Sequence, residues 1–216
     1  MSLALHYHPL SSFCWKVLIP LYENGTQFEP RLLNLQDPAE VAAFRALWPV
    51  GKMPILVDED HDRVITETSI IIEWLDHHHR GETRFLPEDP ERALEVRLWD
   101  RIYDHYVQHP MQRIVFDRIR PPEQRFPADV AEERELLKRA MAMVDTYAAD
   151  KHWATGEQFT LADCAAAPAL FYADKVEPFE GRWPNALALL ERLKARPSVA
   201  RVLREAEPYF QYFPTA

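Results

Sequence analysis

The feature that most constrains this chain is a change of hydrophobic pattern close to residue 80. Before it, short strand-like apolar runs alternate with stretches of helical spacing. After it, only the helical spacing recurs. A chain patterned this way folds as an α/β unit followed by an all-helical one. Glycine is scarce, with 5 residues, whereas proline is frequent, with 18. That balance disfavours a turn-rich all-β structure and makes the prolines the punctuation between helices.

In the first part, residues 3–7 read as a strand, 13–22 as a helix stopped at Asn24-Gly25, and 28–33 as a second strand. In the first helix Val17, Leu18, Pro20 and Leu21 blur any clean apolar stripe. Asp37-Pro38 then provides a cap and a first-turn proline for a helix over 39–47. Strands at 55–57 and 63–65 flank a polar turn, Asp58-Glu59-Asp60-His61-Asp62, and a helix over 67–79 places Ile70, Ile71, Trp74, Leu75 and His78 on one face. The order βαβαββα, strands interleaved with helices and closed by a hairpin, gives a small α/β sandwich. Residues 81–90, polar and proline-bearing, read as a linker, so the expected domains are 1–80 and 91–216. In the second, a long helix over 91–118 carries Leu98, Trp99, Ile102, Tyr103, Tyr106 and Val107 on one stripe and is kinked or broken by Pro110. Helices follow at about 128–150, 160–175, 184–195 and 197–206.

The formal charge of −9 argues against nucleic acid and anionic membrane surfaces as partners. It does not exclude a small anion, because the N-terminus of a helix can hold one against the overall field. No run of about 18 apolar residues suggests a membrane span, and Met1 to His8 lacks the core of a signal peptide. With two cysteines, Cys14 and Cys164, the chain does not read as a disulfide scaffold, and a reducing cytoplasm is expected.

Four short segments carry chemistry. Ser11-Ser12-Phe13-Cys14-Trp15-Lys16-Val17 joins the first strand to the first helix. A hydroxyl there sits beside free backbone N–H groups and about half a positive charge, a setting that favours a bound thiolate; the plain alternative is that either serine only caps the helix. Met53-Pro54 opens a strand, and a cis bond there would turn the Met53 peptide groups outward toward a peptide ligand. Glu67-Thr68-Ser69 opens an amphipathic helix, where N–H groups and a hydroxyl suit a carboxylate and Glu67 suits an amine. Thr160 and Asp163 have the spacing of a capping box with a structural role.

Taken in order, these segments resemble the cytosolic glutathione transferases over nearly the whole chain. The motifs are Ser11…Cys14-Trp15-Lys16-Val17, Met53-Pro54-Ile55-Leu56, Glu67-Thr68-Ser69-Ile70-Ile71-Ile72-Glu73-Trp74-Leu75 and Gly156…Phe159-Thr160-Leu161-Ala162-Asp163. The resemblance implies a thioredoxin-like α/β N-terminal domain, an all-α C-terminal domain and a homodimer. It implies glutathione as co-substrate, held by Lys52, Met53, Pro54, Glu67 and Thr68, with Ser11 or its neighbour Ser12 stabilising the thiolate in the manner of the serine-type (theta-, tau- or zeta-like) branches. An apolar electrophile would lie in the helical domain, with Tyr103 and Tyr106 as candidate walls and His105 and His109 beside them. Thr68 stands where the family usually has serine. Phe13 stands where zeta-like members carry cysteine, which weakens an isomerase reading, and position 11 is not the cysteine of a thiol transferase. A non-catalytic interaction protein on the same fold, or a glutathione-dependent isomerase or reductase, are the rival readings.

Three further features are set aside at this level. Cys14 in the first helical turn could have a lowered pKa but also suits a buried apolar position. Tyr7 fits strand packing. The run His77-His78-His79 points in different directions along a helix, so it cannot close on one ion by itself, and no metal is expected.

Overall fold

The computed structural model describes residues 2–214; Met1, Thr215 and Ala216, at the outer ends of the two expected domains, lie outside them. The N-terminal part runs β1 (Leu3–Tyr7), α1 (Ser12–Glu23), β2 (Glu29–Leu32), α2 (Pro38–Leu47), β3 (Ile55–Asp58), β4 (Arg63–Ile65) and α3 (Thr68–His78). The sheet order is β2-β1-β3-β4. β1 pairs parallel to β2, antiparallel to β3 with Leu5 opposite Leu56, and β3 pairs antiparallel to β4. This is the mixed four-stranded sheet of the expected thioredoxin-like unit.

The blurred stripe of α1 has a simple cause. Cys14 through Leu21 are all buried, because α1 is covered on several sides by α3 and by two helices of the second part. A helix enclosed on several sides has no reason to keep a polar face. In α3 the buried apolar residues are Ile71, Ile72 and Leu75, while Ile70 is exposed, so the apolar face is one residue out of the expected phase.

The second part consists of α4 (Pro90–Ile102), a π-helical segment (Tyr103–Gln108), α5 (His109–Ile119), α6 (Pro127–Ala148), α7 (Leu161–Val176), α8 (Pro184–Ala195) and α9 (Pro197–Ala206), with short 3₁₀ turns at Pro122–Gln124 and Glu207–Tyr212. The expected helix over 91–118 is thus interrupted upstream of Pro110 rather than at it. Proline has no N–H, and its ring crowds the carbonyl four residues back, here that of Tyr106. The wider π turn inserts where that bond is lost and shifts the phase of every residue in it. Of the expected stripe, Trp99, Ile102, Tyr103 and Val107 enter the core, whereas Leu98 on α4 and Tyr106 within the π turn are exposed.

α7 is the central helix of this part, with only Phe171, Asp174 and Lys175 short of full burial. Its alanines bring α1, α4 and the π segment close. Asp163 accepts hydrogen bonds from Thr160 N–H (2.8 Å), Thr160 Oγ1 (3.1 Å) and Ala154 N–H (2.7 Å), closing the expected cap. One apolar core runs through both parts, from Leu3 on β1 to Ala206 on α9. No described helix is long and apolar enough to cross a membrane.

Candidate active site

The loop before α1 is pinned from both sides. Trp15 Nε1 donates to the Pro9 carbonyl, Tyr172 Oη of α7 donates to the Leu10 carbonyl (2.9 Å), and the Leu10 N–H donates to His8 Nδ1 (3.2 Å). Trp15 in turn packs between Phe171 and Tyr172, each with ring centroids 5.0 Å away. Ser11 therefore sits at a fixed place, with an extended backbone (φ −77°, ψ 116°), as the N-cap of α1.

Ser11 Oγ accepts a 3.3 Å hydrogen bond from Cys14 N–H. That bond uses a lone pair and leaves the hydroxyl proton free to donate. The Ser12 and Phe13 N–H groups have no acceptor among the described residues. Both serines line a cavity of about 650 Å³ between the sheet and the helical part, well within the range of small-molecule sites. Ser12 is the more buried of the two.

Cys14 does not share this setting. Its thiol is fully buried and accepts from His8 N–H at 3.4 Å. Burial pushes its pKa up to about 12, against the opposing hydrogen bonds from Ser11 and His8. It cannot serve as a thiolate near neutral pH.

A second helix N-terminus opens on the same cavity. Glu67 precedes α3 with φ 65° and ψ 118°, a left-handed conformation that costs a non-glycine residue of the order of 1 kcal/mol or more. Its side chain makes no cap bond, and Glu67 and Thr68 both face the cavity. The Thr68 and Ser69 N–H groups have no acceptor among the described residues. Between the two helix ends, the Met53–Pro54 bond is cis. Lys52, Met53 and Pro54 line the cavity wall, and the Met53 N–H and C=O have no partner among the described residues. The structure thus gathers Ser11, Ser12, Lys52, Met53, Pro54, Glu67 and Thr68, distant in sequence, around one space.

Ser69 is drawn away from the cavity into a buried ionic cluster beneath it. Lys16 Nζ lies 2.6 Å from both Asp100 Oδ1 and Asp104 Oδ2 and donates to Ser69 Oγ at 3.0 Å. Ser69 Oγ donates to Asp100 Oδ2 at 2.8 Å, and Arg101 bridges the same groups. Burial pushes the Asp104 carboxyl up, while Lys16 pulls it down. This cluster locks α1, α3 and α4 to one another, which fixes the two helix ends relative to each other.

On the opposite wall the expectation fails for two residues. Tyr103 is buried in the core against Trp99, and Tyr106 points to solvent; neither lines the cavity. His105 and His109, the histidines expected beside them, do line it, together with Gln108 of the π turn and Met111, Gln112, Val115 and Phe116 of α5. Tyr212, Phe213 and Pro214 form a further wall. His8, Arg101 and Asp104 also reach the cavity and were not read from the sequence as site residues. His8 follows strand one directly and Asp104 lies beside the apolar stripe of the long helix, which are the signals that mark them.

Comparison with known proteins is consistent with this geometry. Residues 5–83 match the glutathione S-transferase N-terminal domain and residues 107–197 match the glutathione S-transferase C-terminal domain. Glutathione S-transferase F13 of Arabidopsis thaliana is 27% identical over 94% of this chain and 95% of its own. FtsZ-localized protein A of Caulobacter vibrioides is 29% identical over 94% and 92%. A solved glutathione S-transferase from Methylobacillus flagellatus with GSH bound superposes with a TM-score of 0.84 at 25% identity, over 93% of this chain and 98% of that one. With both halves matched in order and the fold shared end to end, the chain belongs to the glutathione S-transferase family.

Proposed function

We propose that this protein is a serine-type glutathione transferase, joining the glutathione thiolate to an electrophilic small molecule. The observation that carries the proposal is the meeting of two helix N-termini with unpaired N–H groups on one cavity. One bears the Ser11 hydroxyl and the other Glu67 and Thr68. The two ends of the tripeptide differ chemically in the same way. Its thiolate needs a donor and a positive end, and its γ-glutamyl terminus needs carboxylate and amine partners.

In this reading the Thr68 N–H and hydroxyl take the γ-glutamyl carboxylate and Glu67 takes the amine. The free Met53 peptide groups pair with the cysteinyl peptide, and Lys52 stands beside them as an anion partner. The sulfur comes to Ser11. Its hydroxyl donates to the thiolate, and the positive end of α1 adds to that field. Lowering an ordinary thiol by about two pKa units takes about 2.7 kcal/mol at about 1.36 per unit. The thiolate then attacks an electrophilic carbon held against the His105, His109, Met111 and Phe116 wall. This wall pairs the imidazoles of His105 and His109 with apolar Met111 and Phe116, so the electrophile is apolar with a hydrogen-bonding group.

A homodimer fits the exposed apolar residues Ile70 on α3 and Leu94 and Leu98 on α4. They lie on two helices joined across their surface by the Glu73–Arg97 ion pair at 2.9 Å. A cytoplasmic setting fits the two buried free thiols, Cys14 and Cys164, and the need for reduced glutathione.

A binding-only role is the second reading, prompted by a relative whose name, FtsZ-localized protein A, denotes a location rather than an activity. The intact cavity favours catalysis. Calorimetric titration with glutathione, followed by a conjugation assay with an aryl halide, separates the two. Binding with turnover supports the transferase, binding without turnover over a panel of electrophiles supports the second reading, and absence of binding removes both site assignments.

A further inference from the structure

At the far end of β3 from Pro54, the β3–β4 turn meets the C-terminal end of α3 and gathers three nitrogen-bearing aromatic rings around one acid. His79 Nε2 lies 2.6 Å from Asp58 Oδ2, His61 Nδ1 lies 2.9 Å from the same oxygen, and Trp74 Nε1 donates to it at 2.9 Å. Asp58 has no exposed surface, so it is not the solvated turn residue that its sequence context suggests. The other carboxylate oxygen, Oδ1, is buried without any hydrogen-bond partner among the described residues. Three donors thus crowd one oxygen while its twin is left empty, an arrangement that leaves a buried acceptor unsatisfied at a cost of about 1–3 kcal/mol.

The ligand atoms of Asp58, His61 and His79 all lie within 4.8 Å of one another. Two imidazole nitrogens and one carboxylate oxygen are a donor set for zinc and its neighbours in the first transition row. His61 has 37% of its side chain exposed and His79 18%, so an ion can reach the cluster and water can complete its coordination. The Trp74 N–H remains as an outer partner that orients the carboxylate, as second-layer groups do around metal ligands. The sequence argument against the run His77-His78-His79 still holds for the run by itself. Only His79 of the three converges on Asp58, while His78 packs against Trp74, tilted by 33°, with centroids 4.0 Å apart. The other two ligands come from the end of β3 and the turn after it, which the fold brings beside the helix end.

We propose that Asp58, His61 and His79 form a binding site for one divalent transition cation, with zinc as the foremost candidate. The cation takes the place of the ring protons that His61 and His79 direct at Asp58; each imidazole then binds as its neutral form, with its proton on the other ring nitrogen or released to solvent. Bound there, the ion staples the β3–β4 turn to α3, remote from the glutathione cavity.

The test uses the full chain without any histidine tag, stripped with a chelator and kept free of glutathione, which would itself take zinc. Titration with zinc chloride by calorimetry is expected to show one saturable site per chain. His61→Ala and His79→Ala are each expected to weaken it at least tenfold, and His77→Ala to leave it unchanged. Zinc is also expected to raise the thermal midpoint of the wild-type protein and not that of His61→Ala. Should His79→Ala fail to fold, His61→Ala, in the exposed turn, carries the same comparison. No saturable binding at millimolar zinc would overturn the proposal. So would binding that survives loss of His61 but disappears with His77, which would mark an adventitious ion on the exposed histidine run.

Discussion

Replacing Ser11 by alanine tests the thiolate proposal, and its expected size can be worked from the structure. Ser11 Oγ has one role that is visible, accepting from Cys14 N–H at the start of α1, and one that is proposed, donating to sulfur. Loss of a hydrogen bond to a charged group costs about 1.5–3 kcal/mol. At about 1.36 kcal/mol per unit, the pKa of bound glutathione then rises by about one to two units. Well below both pKa values the thiolate population, and with it kcat/KM, should fall about 10- to 100-fold. Above both values the difference should vanish. Alanine also removes a helix cap, worth about 1 kcal/mol, whereas glycine at a cap costs only a few tenths. Ser11→Gly therefore separates the two roles. If the hydroxyl acts on sulfur, both variants shift the pH profile of aryl-halide conjugation alkaline by the same amount. If only the cap matters, Ser11→Gly behaves as wild type. Wild-type turnover and an unmoved inflection in both variants would refute the reasoning, and the same loss in Ser12→Ala instead would transfer the role to Ser12.

Other expectations follow from the same structure. Thr68→Val should raise the KM for glutathione about tenfold, the worth of a hydrogen bond to a charged carboxylate, with kcat little changed; an unaltered KM would remove Thr68 from the binding set. Lys16→Ala leaves Asp100 and Asp104 buried without their cation, a change that costs about 3–5 kcal/mol, measurable by urea unfolding; a loss below about 1 kcal/mol would mean that Arg101 alone compensates. Glu23 ties α1 to the start of α9, accepting from Arg196 (3.0 Å), Ser198 (2.6 Å) and Thr83 (3.3 Å). Burial raises its pKa, but these donors outweigh burial and hold it below the ordinary carboxylate value. A lowered folded pKa means that its stabilisation is fully present above the unfolded value and is lost as pH falls through the folded one. Glu23→Gln should thus cost about 2 kcal/mol at neutral pH and progressively less in acid. Cys14, with its pKa pushed to about 12, should resist alkylation in the folded protein while reacting normally in denaturant.

The residues that bear on chemistry were legible where local chemistry leaves a local mark. Ser11 was legible as a cap, Met53-Pro54 as a strand opening and Glu67-Thr68 as a helix start, because each follows from backbone groups within a few residues. The blank in the reading was the wall contributed by the long helix. Spacing at 3.6 residues per turn placed Tyr103 and Tyr106 on one stripe, which the resemblance made a candidate wall; in the structure Tyr103 enters the core and Tyr106, within the π turn, faces solvent. The proline was visible, but the manner in which its missing hydrogen bond would be absorbed was not, since packing against α7 selects among several ways of doing so. Ile70 on α3 was misplaced for a related reason: a face drawn from composition cannot say which of two adjacent isoleucines meets the neighbouring helix.

By itself, then, the sequence determined the order of strands and helices, the caps and turns that bound them, and the residue types available to hold a thiol and an amino-acid terminus. Those depend on interactions within one or two helical turns. The tertiary structure alone decided that α1 would be buried nearly all round and that Cys14 would be sealed off while Ser11 stayed open. It also decided that Lys16 would meet Asp100 and Asp104, and that Asp58, His61 and His79 would converge. Each of these joins residues far apart in the chain. Burial and pairing at that range depend on how whole elements pack, which no local pattern encodes.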